Sequence, residues 1–119
     1  MADILVLDDV PDAVMLIKKI LTRQHHTVHA FTEEEEALAF VGKHPIDLAI
    51  LDIKLKKMSG IQVLEHMKKQ RPAMKVIMLT GYPTLETAQE ALLLGAGEYC
   101  VKPIDKTELE EKVAAVLAR

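Results

Sequence analysis

Short apolar runs alternate along the chain with longer segments in which apolar residues recur at every third or fourth position. Most of the short runs are continuous in Val, Ile and Leu, which is typical of parallel strands covered on both faces. Five strands are predicted, at residues 4–7, 27–31, 48–51, 76–79 and 98–101. The longer segments between them have the period of amphipathic helices.

Residues at the predicted helix ends support this division. Pro11 suits the first turn of a helix, and Gly95 supplies a stop for the fourth helix. Residues 32–35 and residues 105–108 match the capping-box pattern, in which two side chains cap the first turn reciprocally. Thr84 is predicted to cap the fourth helix.

The alternation of strands and helices predicts the fold class. Five βα units joined by right-handed crossovers give a doubly wound α/β protein, in which a five-stranded parallel sheet carries helices on both faces. The length of 119 residues, half of them apolar, fits one such domain over residues 1–119. Ligands of these sheets bind outside the carboxyl ends of the strands, near the topological switch point.

Polar residues interrupt the apolar strands at that same end. They are Asp8 and Asp9 after the first strand, Asp52 after the third, Thr80 after the fourth and Lys102 after the fifth. Three carboxylates beside a single ammonium repel one another, and a hard divalent cation such as Mg2+ offsets that charge with oxygen ligands. Asp8 and Asp9 are therefore interpreted as metal-binding residues outside the core, one in direct contact and the other through water.

The remaining groups suit phosphoryl chemistry. The carboxylate of Asp52, near the centre of the sheet, can act as a nucleophile toward phosphorus and form an aspartyl phosphate. Lys102 adds a positive charge on a flexible stem, and the Thr80 hydroxyl can donate to a phosphoryl oxygen. Such a transfer mainly requires positioning and charge neutralisation.

With these motifs the sequence resembles the receiver domain of bacterial two-component response regulators. The resemblance covers the whole chain and rests on LVLDD, LAILDIKL, IMLTGYPT and GEYCVKPID. The stretch LTGYPTLETAQEA, together with KPID, is most similar to receivers attached to AAA+ transcriptional activators. The resemblance implies a flavodoxin-like receiver fold with strand order 2-1-3-4-5.

The resemblance also implies roles at the site. Asp52 takes a phosphoryl group from a phosphohistidine of a sensor histidine kinase or of a histidine phosphotransfer domain. Mg2+ is held by Asp8, Asp9, Asp52 and the backbone carbonyl of Lys54. The protein is then a phosphoacceptor switch that catalyses only its own phosphorylation and dephosphorylation, rather than an enzyme with a separate substrate.

The resemblance also implies a second group of residues, which carry the conformational change from the phosphorylated aspartate to the protein surface. Thr80 and Lys102 contact the phosphoryl group, and a cis peptide bond before Pro103 aims the lysine inward. Tyr99 turns into the space that Thr80 vacates. The face formed by the fourth helix, fifth strand and fifth helix then changes its partner preference and can serve a homodimer. Simple packing of Tyr99 at the edge of the sheet is the alternative.

Two loop features are particular to this chain. The family often has a Met-Pro pair where this chain has Leu55-Lys56, and the loss of proline's fixed φ is expected to loosen the loop that presents the Lys54 carbonyl. Lys54 and Tyr82 are expected to flank the mouth of the site and to slow the attack of water on the acyl phosphate. The alternative is that both side chains point into solvent.

Composition and charge argue against nucleic-acid binding, membrane insertion and secretion. The net charge is −3 and the basic residues are scattered, so a nucleic-acid-binding surface is not expected. No apolar run is long enough to span a bilayer and no signal-peptide pattern opens the chain, so a cytoplasmic protein is expected. The single cysteine, Cys100, fits a reducing compartment and is interpreted as a buried strand residue.

Other interpretations are weaker. His25, His26 and His29 lie close in sequence, but no Cys is near them, and a structural zinc site is not favoured. The four glutamates of residues 33–36 are interpreted as a solvated helix N-terminus. A phosphatase similar to the haloacid dehalogenase family would have an Asp where this chain has Lys54. A flavin-binding module would need a glycine- and hydroxyl-rich loop after the first strand, and an unphosphorylated docking domain requires that the site fail chemically.

Overall fold

Five strands and five helices alternate along the chain in the computed structural model, which describes all 119 residues. The strands are β1 (Asp3–Leu7), β2 (Thr27–Phe31), β3 (Leu48–Leu51), β4 (Lys75–Thr80) and β5 (Glu98–Val101). The helices are α1 (Pro11–Arg23), α2 (Glu34–Lys43), α3 (Gly60–Gln70), α4 (Leu85–Leu93) and α5 (Lys106–Leu117). All five predicted strands are confirmed. None of the helices combines the length and the apolar composition that a membrane span requires.

All strands pair in parallel in the order β2-β1-β3-β4-β5, which confirms the predicted doubly wound α/β fold. The switch point lies at β1, because the chain continues to β2 on one side of it and to β3 on the other. The last residue of β1, Leu7, is in register with Phe31 of β2 and Leu51 of β3. The residues that follow these strands therefore leave the sheet at the same level.

The sheet separates two hydrophobic cores. One contains 17 buried residues and includes side chains of α2, α3 and α4, whereas the other contains 13 and includes side chains of α1 and α5. Alternate residues of a strand face the two cores, as Leu5 and Leu7 do on one side of β1 and Ile4 and Val6 on the other. Because both faces are covered, the central strands β1, β3 and β4 are apolar at successive positions.

Most predicted helix ends are confirmed. Pro11 is the first residue of α1, and the Thr84 hydroxyl accepts a hydrogen bond at 3.1 Å from the backbone N–H three residues later. Gly95 follows the end of α4 with a φ of +99°, a left-handed conformation that favours glycine. Asp105 accepts from the Glu108 N–H at 2.7 Å, although the reciprocal bond of a capping box is not formed.

The start of α2 differs from the prediction. The capping box predicted at residues 32–35 is wrong, because α2 begins at Glu34 with Glu33 at the N-cap position and without a side-chain cap. The four glutamates are also not all solvated as predicted, since Glu34 is only 1% exposed. A reciprocal capping box occurs instead at the start of α3, between Ser59 and Gln62.

Candidate functional site

The polar residues predicted at the carboxyl edge of the sheet lie together there. Asp8, Asp52 and Lys102 directly follow β1, β3 and β5, Asp9 is next to Asp8, and Thr80 is the last residue of β4. One carboxylate oxygen from each of the three aspartates lies within 4.8 Å of the others. Asp9, Asp52 and Lys102 line a crevice of about 390 Å³ at this edge. The strand ends thus bring the predicted carboxylates together beside the switch point.

Backbone hydrogen bonds continue the sheet beyond the strand ends and fix two of these aspartates. The N–H of Asp8 donates to the carbonyl of Phe31 at 3.2 Å, and the N–H of Asp52 donates to the carbonyl of Leu7 at 3.0 Å. The Asp8 carboxylate also accepts from the Val10 N–H at 3.0 Å, in a short turn that leads into α1. The register of the sheet, rather than a free loop, therefore positions both aspartates.

Asp8 is more buried than the sequence indicated. It was expected outside the core together with Asp9, but Asp8 is 2% exposed and only Asp9 is partly exposed. A buried carboxylate requires hydrogen bonds or an opposite charge. The Val10 N–H supplies one partner, and the ammonium of Lys102 supplies the other.

Lys102 is the positive group of the site. Its Nζ lies 2.5 Å from Asp8 Oδ2 and 3.5 Å from Asp52 Oδ2. Burial lowers the pKa of the Lys102 ammonium, but the two carboxylates outweigh burial and raise that pKa above its usual value. The pKa of Asp52 is also raised, first by burial and then by the charge of Asp8, while Lys102 opposes the rise. The site thus keeps Lys102 charged and disfavours negative charge on Asp52.

The donor set fits a hard divalent cation. Carboxylate oxygens are the ligands that Mg2+ prefers, and three of them converge in a site that remains negative despite Lys102. Lys54, whose backbone carbonyl is the predicted fourth ligand, lines the same crevice. No other group of three or more His, Cys, Asp or Glu residues converges in the protein.

The loop between β3 and α3, which contains Lys54, closes tightly at its end. The N–H of Gly60 donates to the carbonyl of Ile53 at 2.7 Å. A Cβ atom at Gly60 would lie 1.9 Å from the backbone oxygen of Asp52, so any larger residue would displace the backbone beside the predicted phosphoacceptor.

Glu34 contacts the middle of the same loop, which the sequence did not predict. Its Oε2 accepts hydrogen bonds from the N–H groups of Lys57 at 2.5 Å and Met58 at 3.0 Å. Burial raises the pKa of the Glu34 carboxyl, but the hydrogen bonds that it accepts from backbone N–H groups and the charge of Lys57 hold that pKa below its usual value. Glu34 is therefore an ionised, buried carboxylate between α2 and the loop.

The residues predicted to form the switch lie on β4 and β5. Thr80 is fully buried, and its hydroxyl accepts a hydrogen bond from the Tyr82 N–H at 3.0 Å. Tyr99 is half-buried, with its hydroxyl 2.7 Å from the Thr87 hydroxyl of α4. The peptide bond before Pro103 is cis, as expected. These contacts connect Tyr99 to α4, and its movement on phosphorylation stays a prediction.

Lys54 and Tyr82 contact each other at the mouth of the crevice. The Nζ of Lys54 lies 4.2 Å from the centroid of the Tyr82 ring, within the range of a cation–π interaction. Both residues line the crevice with Gly81, although the tyrosine is 64% exposed. Their position agrees with the predicted place at the mouth, and their effect on the phosphate lifetime stays a prediction.

Two of the histidines near β2 have polar partners on β1 and at the start of the chain. His26 Nδ1 accepts a hydrogen bond from the Ala2 N–H at 3.1 Å, and His29 Nε2 lies 3.2 Å from Asp3 Oδ1. These two rings thus bond to different partners. Cys100 is buried in β5, which confirms its interpretation as a strand residue.

The protein is therefore a doubly wound α/β protein, and an acidic crevice that contains a lysine lies at the switch point of its sheet. The chain belongs to the response regulator receiver domain family, whose family model matches residues 4–114. It is a receiver domain of the two-component response regulators, as its motifs predicted.

Curated relatives share the domain over nearly the whole chain. The chain is 34% identical over 116 residues to the transcriptional regulatory protein ZraR of Salmonella typhimurium, and the match covers 98% of the chain and 26% of that protein. It is 33% identical over 119 residues to the heme response regulator HssR of Staphylococcus saprophyticus, which covers 100% of the chain and 53% of that protein. The chain therefore spans between a quarter and about half of the length of these relatives.

Solved structures share the fold. A CheY-like response regulator receiver domain protein from Methanospirillum hungatei is 36% identical, with a TM-score of 0.96, and the match covers 99% of this chain and 94% of that one. The chemotaxis protein CheY4 of Vibrio cholerae is 26% identical, with a TM-score of 0.92, and the match covers 98% of each chain. These similarities confirm the arrangement of strands and helices.

Proposed function

We propose that Asp52 is the phosphoacceptor of a two-component pathway and that Asp8, Asp9, Asp52 and the Lys54 carbonyl hold the Mg2+ ion that the reaction needs. The observation that carries this proposal is the convergence of three carboxylate oxygens within 4.8 Å at the switch point. Lys102 lies 3.5 Å from Asp52 and is charged, so it can also meet a phosphoryl oxygen. Residues 1–119 then act as one receiver domain.

The proposed reaction moves a phosphoryl group from nitrogen to oxygen. A carboxylate oxygen of Asp52 attacks the phosphorus of a phosphohistidine on a sensor histidine kinase or a histidine phosphotransfer domain. A new O–P bond forms while the P–N bond breaks, and the imidazole leaves with the bonding electrons. Bound Mg2+ supplies positive charge to the phosphoryl oxygens. The protein catalyses only this transfer and the later hydrolysis of its own acyl phosphate.

The residues of the chain then have separate tasks. Lys102 offsets the charge that the phosphoryl group brings, and the Thr80 hydroxyl donates to a phosphoryl oxygen once it turns toward Asp52. Tyr99 follows into the space beside β4, which breaks its contact with Thr87 and changes the face formed by α4, β5 and α5. That face binds the output partner or a second copy of the chain.

The output that we propose is control of transcription through a further domain or a protein partner, without direct nucleic-acid binding by this domain. It rests on the AAA+-type motifs of the sequence and on relatives such as ZraR, which is named a transcriptional regulatory protein. In this proposal the protein acts in the cytoplasm, where reducing conditions suit the unpaired thiol of Cys100.

Acetyl phosphate provides the test, because it is a small phosphoryl donor that needs no partner protein. We expect the intact mass to increase by one phosphoryl group when the protein is incubated with acetyl phosphate and Mg2+, and not when EDTA replaces Mg2+. An unchanged mass in the presence of Mg2+ would contradict the proposal.

A further inference from the structure

Glu34 is the one acidic residue outside the aspartate cluster of the site that is almost completely buried. It lies in the first turn of α2, it is 1% exposed, and its Oε2 accepts from the N–H groups of Lys57 and Met58. Its second oxygen, Oε1, is buried without a hydrogen-bond partner. A carboxylate in such a place requires an explanation, because its desolvation is costly.

The loop that Glu34 contacts depends on it. Residues 54–58 lie between β3 and α3, outside regular secondary structure, and Lys54 and Leu55 line the crevice. The only hydrogen bonds that their backbone makes are the two that Lys57 and Met58 donate to Glu34. The loop has no proline that would fix a φ angle in this stretch. Glu34 therefore accepts all the hydrogen bonds that the backbone of this loop donates, while Leu55 and Met58 pack against the core.

The strength of this restraint follows from its chemistry. Hydrogen bonds from N–H groups to an ionised carboxylate are shorter and stronger than those to a neutral acceptor. The position in the first turn of α2 adds the favourable field of the helix N-terminus. Without the carboxylate, two N–H groups in the loop would lose their acceptor.

From this geometry we infer that Glu34 is a positioning residue for the metal site: it holds the loop after β3 so that the Lys54 carbonyl is ready to bind Mg2+. The inference rests on the function proposed above, since it assigns a purpose to the loop only if Mg2+ binds there. In this inference Glu34 offsets the loosening that is expected from Lys56 in place of proline. A role in stability alone is the alternative.

Two Glu34 variants and a matched control distinguish these roles. Glu34→Ala removes the acceptor, and Glu34→Gln keeps an acceptor oxygen without the charge. Glu35→Ala is the control, because Glu35 lies in the same turn, carries the same charge and is exposed, with only a surface ion pair to the Lys57 ammonium. Mg2+ affinity is measured by isothermal titration calorimetry on each folded variant, and hydrogen exchange reports on the Lys57 and Met58 amides.

We expect Glu34→Ala to weaken Mg2+ binding about tenfold, the usual cost of losing a group that supports a metal ligand. Glu34→Gln should fall between wild type and Glu34→Ala, and it carries the test if the alanine variant does not fold. The Lys57 and Met58 amides should exchange faster in both Glu34 variants, whereas Glu35→Ala should match wild type in both measurements. Equal Mg2+ affinity in folded Glu34 variants and Glu35→Ala would overturn the inference. Wild type that binds no Mg2+ would overturn the proposed function itself.

Discussion

The ammonium of Lys102 lies 2.5 Å from a carboxylate oxygen of Asp8, although the two residues are 94 positions apart in the chain. Lys102 follows β5, at one edge of the sheet, and Asp8 follows β1, so the lysine side chain crosses the ends of β3 and β4. This contact neutralises a buried carboxylate and places the positive charge beside Asp52. The Lys102 ammonium therefore stabilises the carboxyl edge of the sheet and also takes part in the chemistry proposed there.

Replacement of this lysine should destabilise the protein. We expect Lys102→Met to lower the free energy of unfolding by about 1–3 kcal/mol without Mg2+, because the buried Asp8 carboxylate loses a charged hydrogen-bond donor. Saturating Mg2+ should restore more stability in the variant than it adds to wild type, because the ion then neutralises carboxylates that lack another cation. Urea unfolding with and without Mg2+ measures both effects.

Lys112→Met is the matched control for this experiment. Lys112 pairs with Glu98 on the surface, and its loss should cost little. A Lys102→Met variant that is as stable as this control, or that gains no more from Mg2+ than wild type, would contradict the prediction.

Substitution of Asp52 by Asn should stabilise the metal-free protein at neutral pH by a few degrees in Tm. Burial and the Asp8 charge raise the pKa of Asp52 in the folded state. An acid with a raised folded pKa keeps its proton longer when folded, so stability is lost as the pH rises through the unfolded and then the folded pKa. Asn avoids this loss because it carries no charge.

Thermal unfolding of wild type and Asp52→Asn across the acid and neutral pH range tests the direction of this change in stability. The two proteins should be similar below the usual carboxyl pKa, and the advantage of the variant should grow with pH until it becomes constant. Asp12→Asn, at an exposed position of α1, should show no such advantage. If Asp52→Asn were less stable than wild type at neutral pH, this result would contradict a raised pKa of Asp52 in the folded protein.

Removal of the acidic pair should weaken Mg2+ binding. Asp9→Ala should have the severe effect and Asp8→Ala a smaller one, because one carboxylate is predicted to bind directly and the other through water. Loss of a group that only supports a ligand costs about 10- to 100-fold in metal affinity, and loss of a direct ligand should cost more. Calorimetric titration with MgCl2 measures the change, with Asp12→Ala as a control for charge. Unchanged Mg2+ affinity in both variants would contradict the proposal that Asp8 and Asp9 hold the ion.

The sequence predicted the fold because burial on both faces leaves a strong signal. The β3 segment Leu48–Leu51 is fully apolar, and Asp52 directly after it marks the end of the apolar run. A set of parallel strands that end in polar residues can hold them only at one edge, so the site followed from the same pattern. The family motifs then assigned roles within that set.

The sequence could not predict the role of Glu34. Four consecutive glutamates in a helix start look equivalent, and only tertiary packing selects the one that turns inward. Its partners, the N–H groups of Lys57 and Met58, are backbone groups that leave no signature in side-chain chemistry. Burial of Asp8 was missed for a related reason, because the reach of Lys102 across the sheet depends on the fold.

The contact between Lys54 and Tyr82 should prolong the life of the acyl phosphate. Water must attack the phosphorus in line, and these side chains at the mouth of the crevice are predicted to cover its approach without offering a group that accepts its proton. We expect the Lys54→Asn, Tyr82→Glu double variant to lose the phosphoryl group several-fold faster, because its shorter polar groups can orient water. Intact mass recorded over time after removal of the donor gives the decay rate.

Lys56→Asn is the control for this measurement, because Lys56 lies in the same loop but does not line the crevice. This control should decay as wild type does. A double variant with an equal or slower decay would remove both residues from the mechanism.

Asp52 is proposed to carry the phosphoryl group, and the most direct measurement locates the modified residue. Borohydride converts an aspartyl phosphate to homoserine, so treatment of the acetyl phosphate-reacted protein, followed by peptide mass spectrometry, marks the modified residue. We predict homoserine at position 52 in wild type when Mg2+ is present, and none in Asp52→Asn. Homoserine at position 8 or 9 in wild type, or an undiminished mass gain in Asp52→Asn, would contradict the account.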